Sequence, residues 1–118
     1  MIAKKYRIPR EKIPYLLRKG QSMASRLFII RYNRNEENFA RFRTIVSKKI
    51  DPKAVKRNFL RRQIYEALRL NQQEELKPLD IILIPKKQIQ RSSFDQIRAD
   101  LREITTNLNN LPPLHGEI

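Results

Sequence analysis

The chain has 118 residues and no cysteine, enough for one domain with a modest core, and it excludes a disulfide framework, a thiol nucleophile and a cysteine-based zinc site. Its 26 Lys and Arg against 12 Asp and Glu give a net charge of +14 and a sequence pI near 10.7. That balance calls for a large polyanionic partner, and nucleic acid leads over an anionic membrane surface. The longest purely apolar runs, Leu27 to Ile30 and Ile81 to Ile84, have four residues each, against about twenty for a spanning helix. No signal-peptide core is visible, so a cytoplasmic location is expected.

Residues 1–10 are basic and irregular, with Pro9 discouraging helix; they read as disordered or as an arm that settles on a partner. A short helix is expected from about Pro14 to Lys19, with Ile13, Leu16 and Leu17 apolar and Gly20 as a left-handed cap. Leu27 to Tyr32 and Phe39 to Ser47 read as adjacent antiparallel strands around the polar loop NRNEEN. Phe28, Ile30 and Tyr32 share one face of the first strand; Phe42, Thr44 and Val46 share one face of the second, opposite Arg41, Arg43 and Ile45. Such aromatics usually belong to a core. One left open beside arginines can instead stack an unpaired base, and Tyr32 is the candidate.

Ala54 to Arg69 (AVKRNFLRRQIYEALR) is the most informative stretch. Val55, Leu60, Ile64, Ala67 and Leu68 recur at helical spacing and are expected to face the core. Arg57 and Arg61 stack one turn apart on the polar side, as do Asn58 and Arg62. Like charges so placed repel unless an anion meets them, and the arginine fork suits phosphate. From Arg43 to Arg69 nine basic residues face two acids, a net +7. Asp51 is expected as N-cap, Pro52 at the first helical position, Ile50 and Val55 as a hydrophobic staple, and Asn71 as a left-handed end.

Asp80 to Pro85 (DIILIP) reads as a strand buried on both faces, parallel to the strand before the helix. Ser93 and Gln96 form a capping box ahead of Phe94, Ile97, Leu101, Ile104, Leu108 and Leu111, the stripe of a last helix. Residues 111–118 read as a loose tail, and its His115, the only histidine, receives no role. The acids are scattered, Asp100 and Glu103 reading as surface residues, and with two glycines there is no loop to cradle a nucleotide. The chain alone is therefore expected to cleave nothing.

IVSKKIDPKAVKRNFLRRQIYEALR resembles the signature of the bacterial ribonuclease P protein component, in which a strand ending in VSKK precedes a helix of the approximate form AVxRNRxKRxxREAFR. Val46 to Lys49 match the first part. Ala54, Val55, Arg57, Asn58, Arg61 (for a usual lysine), Arg62, Glu66, Ala67 and Arg69 match the second. DIILIP and GQS resemble the family's DIVIIAR strand and G-K-S turn, so the likeness spans about residues 7 to 108. Phe59, Gln63 and Tyr65 depart from usually basic positions, and Ile13 and Leu17 stand where two phenylalanines usually face the precursor's 5′ leader.

The resemblance implies an α/β sandwich within residues 1–110: a four-stranded mixed sheet covered by helices, in the order α-β-β-β-α-β-α, with a left-handed β-α-β crossover. It implies the protein subunit of the ribonucleoprotein that removes the 5′ leader of precursor tRNA, the RNA subunit carrying the catalytic centre and Mg2+. Lys48, Lys49, Lys53, Lys56, Arg57, Asn58, Arg61 and Arg62 would meet that RNA; Phe28, Tyr32 and Arg43 would meet the leader. No catalytic residue, protein-bound metal, membrane or DNA partner is expected. A structural RNA-binding protein of ribosomal type is the alternative. A helix-turn-helix DNA regulator ranks lower because no partner helix closely precedes the basic one.

Overall fold

The computed structural model describes residues 3–71 and 76–111, so the tail from residue 112 onward, His115 included, lies outside the described residues. The elements are α1 (Ile13–Lys19), β1 (Gln21–Ala24), β2 (Phe28–Arg34), β3 (Arg41–Thr44), α2 (Ala54–Leu70), β4 (Leu79–Pro85) and α3 (Phe94–Asn109). This is the expected order and class. The four strands form one mixed sheet, ordered β1-β2-β4-β3, in which only β3 and β4 are parallel.

β2 and β3 are not neighbours, contrary to the reading of adjacent antiparallel strands. β4 lies between them, because its run from Leu79 to Leu83 is buried on both faces and a strand of that kind belongs in the middle of a sheet. On one face, Phe28, Ile30, Tyr32, Phe42, Ile81 and Leu83 share the main core with Ile64 and Leu68 of α2 and with Ile97, Leu101, Ile104 and Leu108 of α3. On the other face a smaller core joins Ile8, Leu16 and Ile82, with Ile13, Ile45 and Ile84 packed against it. Helices α2 and α3 thus cover one side; α1 and the N-terminal segment cover part of the other.

The N-terminal segment is docked. Arg7 bridges to Phe42 in parallel fashion, the Ile8 amide donates to the Phe42 carbonyl at 3.1 Å, and the Ile8 side chain is fully enclosed. The buried Ile8 side chain and the main-chain contacts to Phe42 together anchor the arm. Gly20 is extended (φ −68°, ψ 159°) rather than left-handed. Close approach is what demands glycine there: a Cβ would lie 2.5 Å from the Leu16 carbonyl oxygen and 3.1 Å from that of Tyr32.

The start of α2 also differs from expectation. The Asp51 carboxylate accepts from the Lys53 amide at 2.9 Å, a local turn that delays the helix to Ala54 and leaves Lys53 as an N-cap without side-chain capping. Pro52 therefore precedes the helix. The staple does not form, since Ile50 is buried while Val55 points to solvent. Asn71 ends α2 in right-handed geometry (φ −77°, ψ −8°), because its side chain is engaged with α3: its Oδ1 accepts from Arg98 Nε at 2.9 Å and its Nδ2 donates to the Arg98 carbonyl at 3.1 Å.

In α3 the capping box is present, with the Gln96 amide donating to Ser93 Oγ at 3.1 Å and the Ser93 amide to Gln96 Oε1 at 2.9 Å. Asp100, read as a surface residue, is buried. Its Oδ2 accepts from Ser25 Oγ at 2.6 Å and from the Leu27 amide at 3.1 Å, tying α3 to the β1–β2 turn. Glu103 is exposed as expected. Among the described residues no helix is long and apolar enough to cross a membrane.

Candidate nucleic-acid interface

Strand alternation sends Arg41 and Arg43 to the same side of β3, yet their surroundings differ. Arg41 is buried against Asp80, donating from Nε to Oδ1 at 2.8 Å and from Nη2 to Oδ2 at 2.9 Å. That pairing raises the guanidinium pKa further. Among the described residues Arg43 has no carboxylate partner: its Nη2 donates to the Ile8 carbonyl at 2.7 Å, and its enclosed Nε has no acceptor. The enclosed Nε of Arg7 likewise has none.

Arg7 and Arg43 meet α2 in a groove of about 490 Å³, lined also by Thr44, Asn58, Arg61, Arg62 and Tyr65. Its wall is held by two hydrogen bonds. The Thr44 amide donates to the Tyr65 hydroxyl and Thr44 Oγ1 to the Leu83 carbonyl, both at 3.1 Å. Arg61 is steadied by donating to Asn58 Oδ1. Four arginines thus line the groove, with no carboxylate among its described lining residues. Buried donors without acceptors are rare in folded proteins because each lacks the hydrogen bonds that water would have supplied. Those enclosed atoms lie out of reach of a ligand in the groove, where the arginine fork itself is what suits a phosphate.

Of the residues expected to meet RNA, Asn58, Arg61 and Arg62 come together here, joined by Arg43. Arg57 turns away. Its Nη1 donates to the Asp51 and Pro52 carbonyls at 3.0 and 2.9 Å, closing the loop before α2. Lys48, Lys49, Lys53 and Lys56 are exposed on that loop and on the first turn of α2. Arg69 lies farther along and pairs with Glu66, whose carboxyl it holds below the usual range by hydrogen bonding.

Phe28 and Tyr32, expected at the leader, do not offer rings to a base. Phe28 is fully enclosed and Tyr32 is 6% exposed, both on the sheet face covered by α2 and α3. Burial pushes the Tyr32 phenol pKa up. The register explains this: Tyr32 lies opposite Ile81 and Ile30 opposite Leu83, so β2 turns its aromatic face into the core that β4 forms. The opposite face is more open, with Ile29 exposed and Arg31 half-buried, its enclosed Nε without an acceptor.

Arg7, Thr44 and Tyr65 are the lining residues that sequence reasoning missed. The signal for Arg7 was its neighbour Ile8, an apolar anchor in a basic arm. Tyr65 was available as the residue beside Ile64 on the inner half of α2. Thr44 was placed on the correct face, but nothing in the sequence aligned it with Tyr65.

Comparison with known proteins places the chain and its fold. A family profile described as ribonuclease P matches residues 2–109. The ribonuclease P protein component of Carboxydothermus hydrogenoformans is 38% identical over 93 residues, covering 77% of this chain and 79% of that one. That of Clostridioides difficile is 35% identical over 86 residues, covering 72% and 75%. Among solved structures, the ribonuclease P protein of Thermotoga maritima superposes with a TM-score of 0.76 at 26% identity, covering 86% of this chain and 96% of that one. A Staphylococcus aureus ribonuclease P protein, described as a mutant with defective mRNA degradation activity, gives a TM-score of 0.76 at 30% identity, covering 89% and 88%. Matched along nearly its whole described length in sequence and in fold, the chain belongs to the bacterial ribonuclease P protein family.

Proposed function

We propose that this chain acts as the protein subunit of the ribonucleoprotein endonuclease ribonuclease P, binding its catalytic RNA and the 5′ leader of precursor tRNA. The observation that carries this reading is the groove lined by Arg7, Arg43, Arg61 and Arg62, with no carboxylate among its described lining residues. Two RNAs brought together repel through their phosphates. A +14 protein between them lowers that repulsion, and its fixed guanidinium forks hold phosphates in register.

Asn58, Arg61 and Arg62, with exposed Lys48, Lys49, Lys53 and Lys56 beside them, form the surface for the catalytic RNA, while Arg57 shapes the loop that presents the lysines. With Phe28 and Tyr32 buried, leader contact falls to Arg43 and to the open side of the sheet around Ile29 and Arg31. The protein's part is to bind and position. In this reading magnesium enters with the RNA subunit.

The test is precursor tRNA cleavage at low magnesium by a bacterial ribonuclease P RNA, with and without the purified chain. Correct 5′ cleavage that requires both is the expected result. Tight RNA binding without stimulation would favour a structural RNA-binding role, and cleavage by the RNA-free protein would overturn the division of labour.

A further inference from the structure

Val55 and Phe59 stand one turn apart on the outer side of α2, 77% and 56% exposed. Neither belongs to either core cluster. An exposed phenylalanine among Lys56, Arg57, Arg61 and Arg62 adds nothing to the core, since burial against another surface is what makes a large ring favourable. Lys56 lies three residues before Phe59 and Arg62 three after, both exposed, so the ring is bracketed by positive charge on the adjoining turns.

We propose that Phe59 is a stacking site for an unpaired base of the RNA partner, with Val55 extending the apolar surface and Lys56 and Arg62 holding the phosphates on either side. The inference rests on the RNA-partner reading above. Charge decides the occupant. A second copy of this chain would bring another +14 against the same cations, whereas an RNA strand supplies both the phosphates they attract and a π-face for the ring. The base must be unpaired, because bases within an A-form duplex are already stacked and its deep groove keeps side chains out. Stacking tolerates any base, so Phe59 adds affinity with little sequence preference.

The experiment uses the full chain and a bacterial ribonuclease P RNA. Phe59→Ala should bind about 5- to 150-fold more weakly, with the slope of log affinity against log salt unchanged because no phosphate contact is lost. Phe59→Leu should recover only part of the loss. The chain has no tryptophan, so Phe59→Trp supplies a single indole whose emission should be quenched as RNA is added. Full affinity in Phe59→Ala, full recovery in Phe59→Leu, or unquenched emission in Phe59→Trp would each overturn the inference and leave the RNA-partner reading standing. Conversion of a dimer to a monomer by Phe59→Ala with RNA affinity intact would assign the ring to a second copy instead. Failure of the unaltered chain to bind the RNA would remove both readings.

Discussion

Arg41 and Arg43 are two residues apart on one strand face, and Asp80 separates their roles. Paired through two hydrogen bonds and further fixed by Asn35, whose Nδ2 donates to Asp80 Oδ1 at 2.9 Å, Arg41 belongs to the fold. Asp80→Ala would strand a buried guanidinium and should lower unfolding free energy by about 3–5 kcal/mol in urea titration. Replacing both partners with Met and Leu should recover most of that loss. Tyr32 makes a pH prediction. Its folded pKa is raised by burial, so its contribution to stability is complete below the ordinary phenol value of about 10 and is lost as pH rises through the folded value. Tyr32→Phe should remove that alkaline component, measured as urea midpoints between about pH 9 and 11.

At the scale of elements, the two long helices begin in different ways, and the difference separates structure from binding. α3 has a complete capping box, so Ser93→Ala should cost about 0.5–2 kcal/mol of stability, read from the urea midpoint, without touching RNA affinity. α2 has no side-chain cap and no acid in its first turn. Its opening turn carries Lys56 and Arg57 beside Ala54 and Val55, with Arg57 folded back onto the preceding carbonyls. Arg61→Ala and Arg62→Ala should each reduce the salt slope of RNA binding by about one while leaving stability within about 0.5 kcal/mol. A slope unchanged in both variants would separate the groove from RNA binding.

For the molecule as a whole, the layers divide the labour. α2 and α3 bury one sheet face and seal Phe28 and Tyr32 inside. The other face is only partly covered, by α1 and the segment around Ile8, which leaves arginines of β2 and β3 near the surface. The groove forms where the N-terminal segment, the outer edge of β3 and the middle of α2 meet. Because its attraction for RNA is electrostatic, stimulation of cleavage by subsaturating protein should fall steeply between about 50 and 200 mM salt, more steeply than cleavage by the RNA alone.

The sequence by itself determined the elements that local chemistry specifies: the capping box and apolar stripe of α3, the buried run of β4, the position of α2 and the cationic character of its outer side. It also carried the family signature. Only the tertiary structure decided which strands are neighbours, because pairing depends on how much of each strand must be buried, and β4 took the centre. The same arrangement turned Tyr32 inward, brought Asp100 to the β1–β2 turn, and set Arg7 beside Arg43 and Arg62 from segments far apart in the chain. The start of α2 was misread for a local reason, since the Asp51 side chain satisfied the Lys53 amide in a turn before any helix began. Charge and periodicity are properties of a segment and can be read from it; a groove exists only once distant segments have packed.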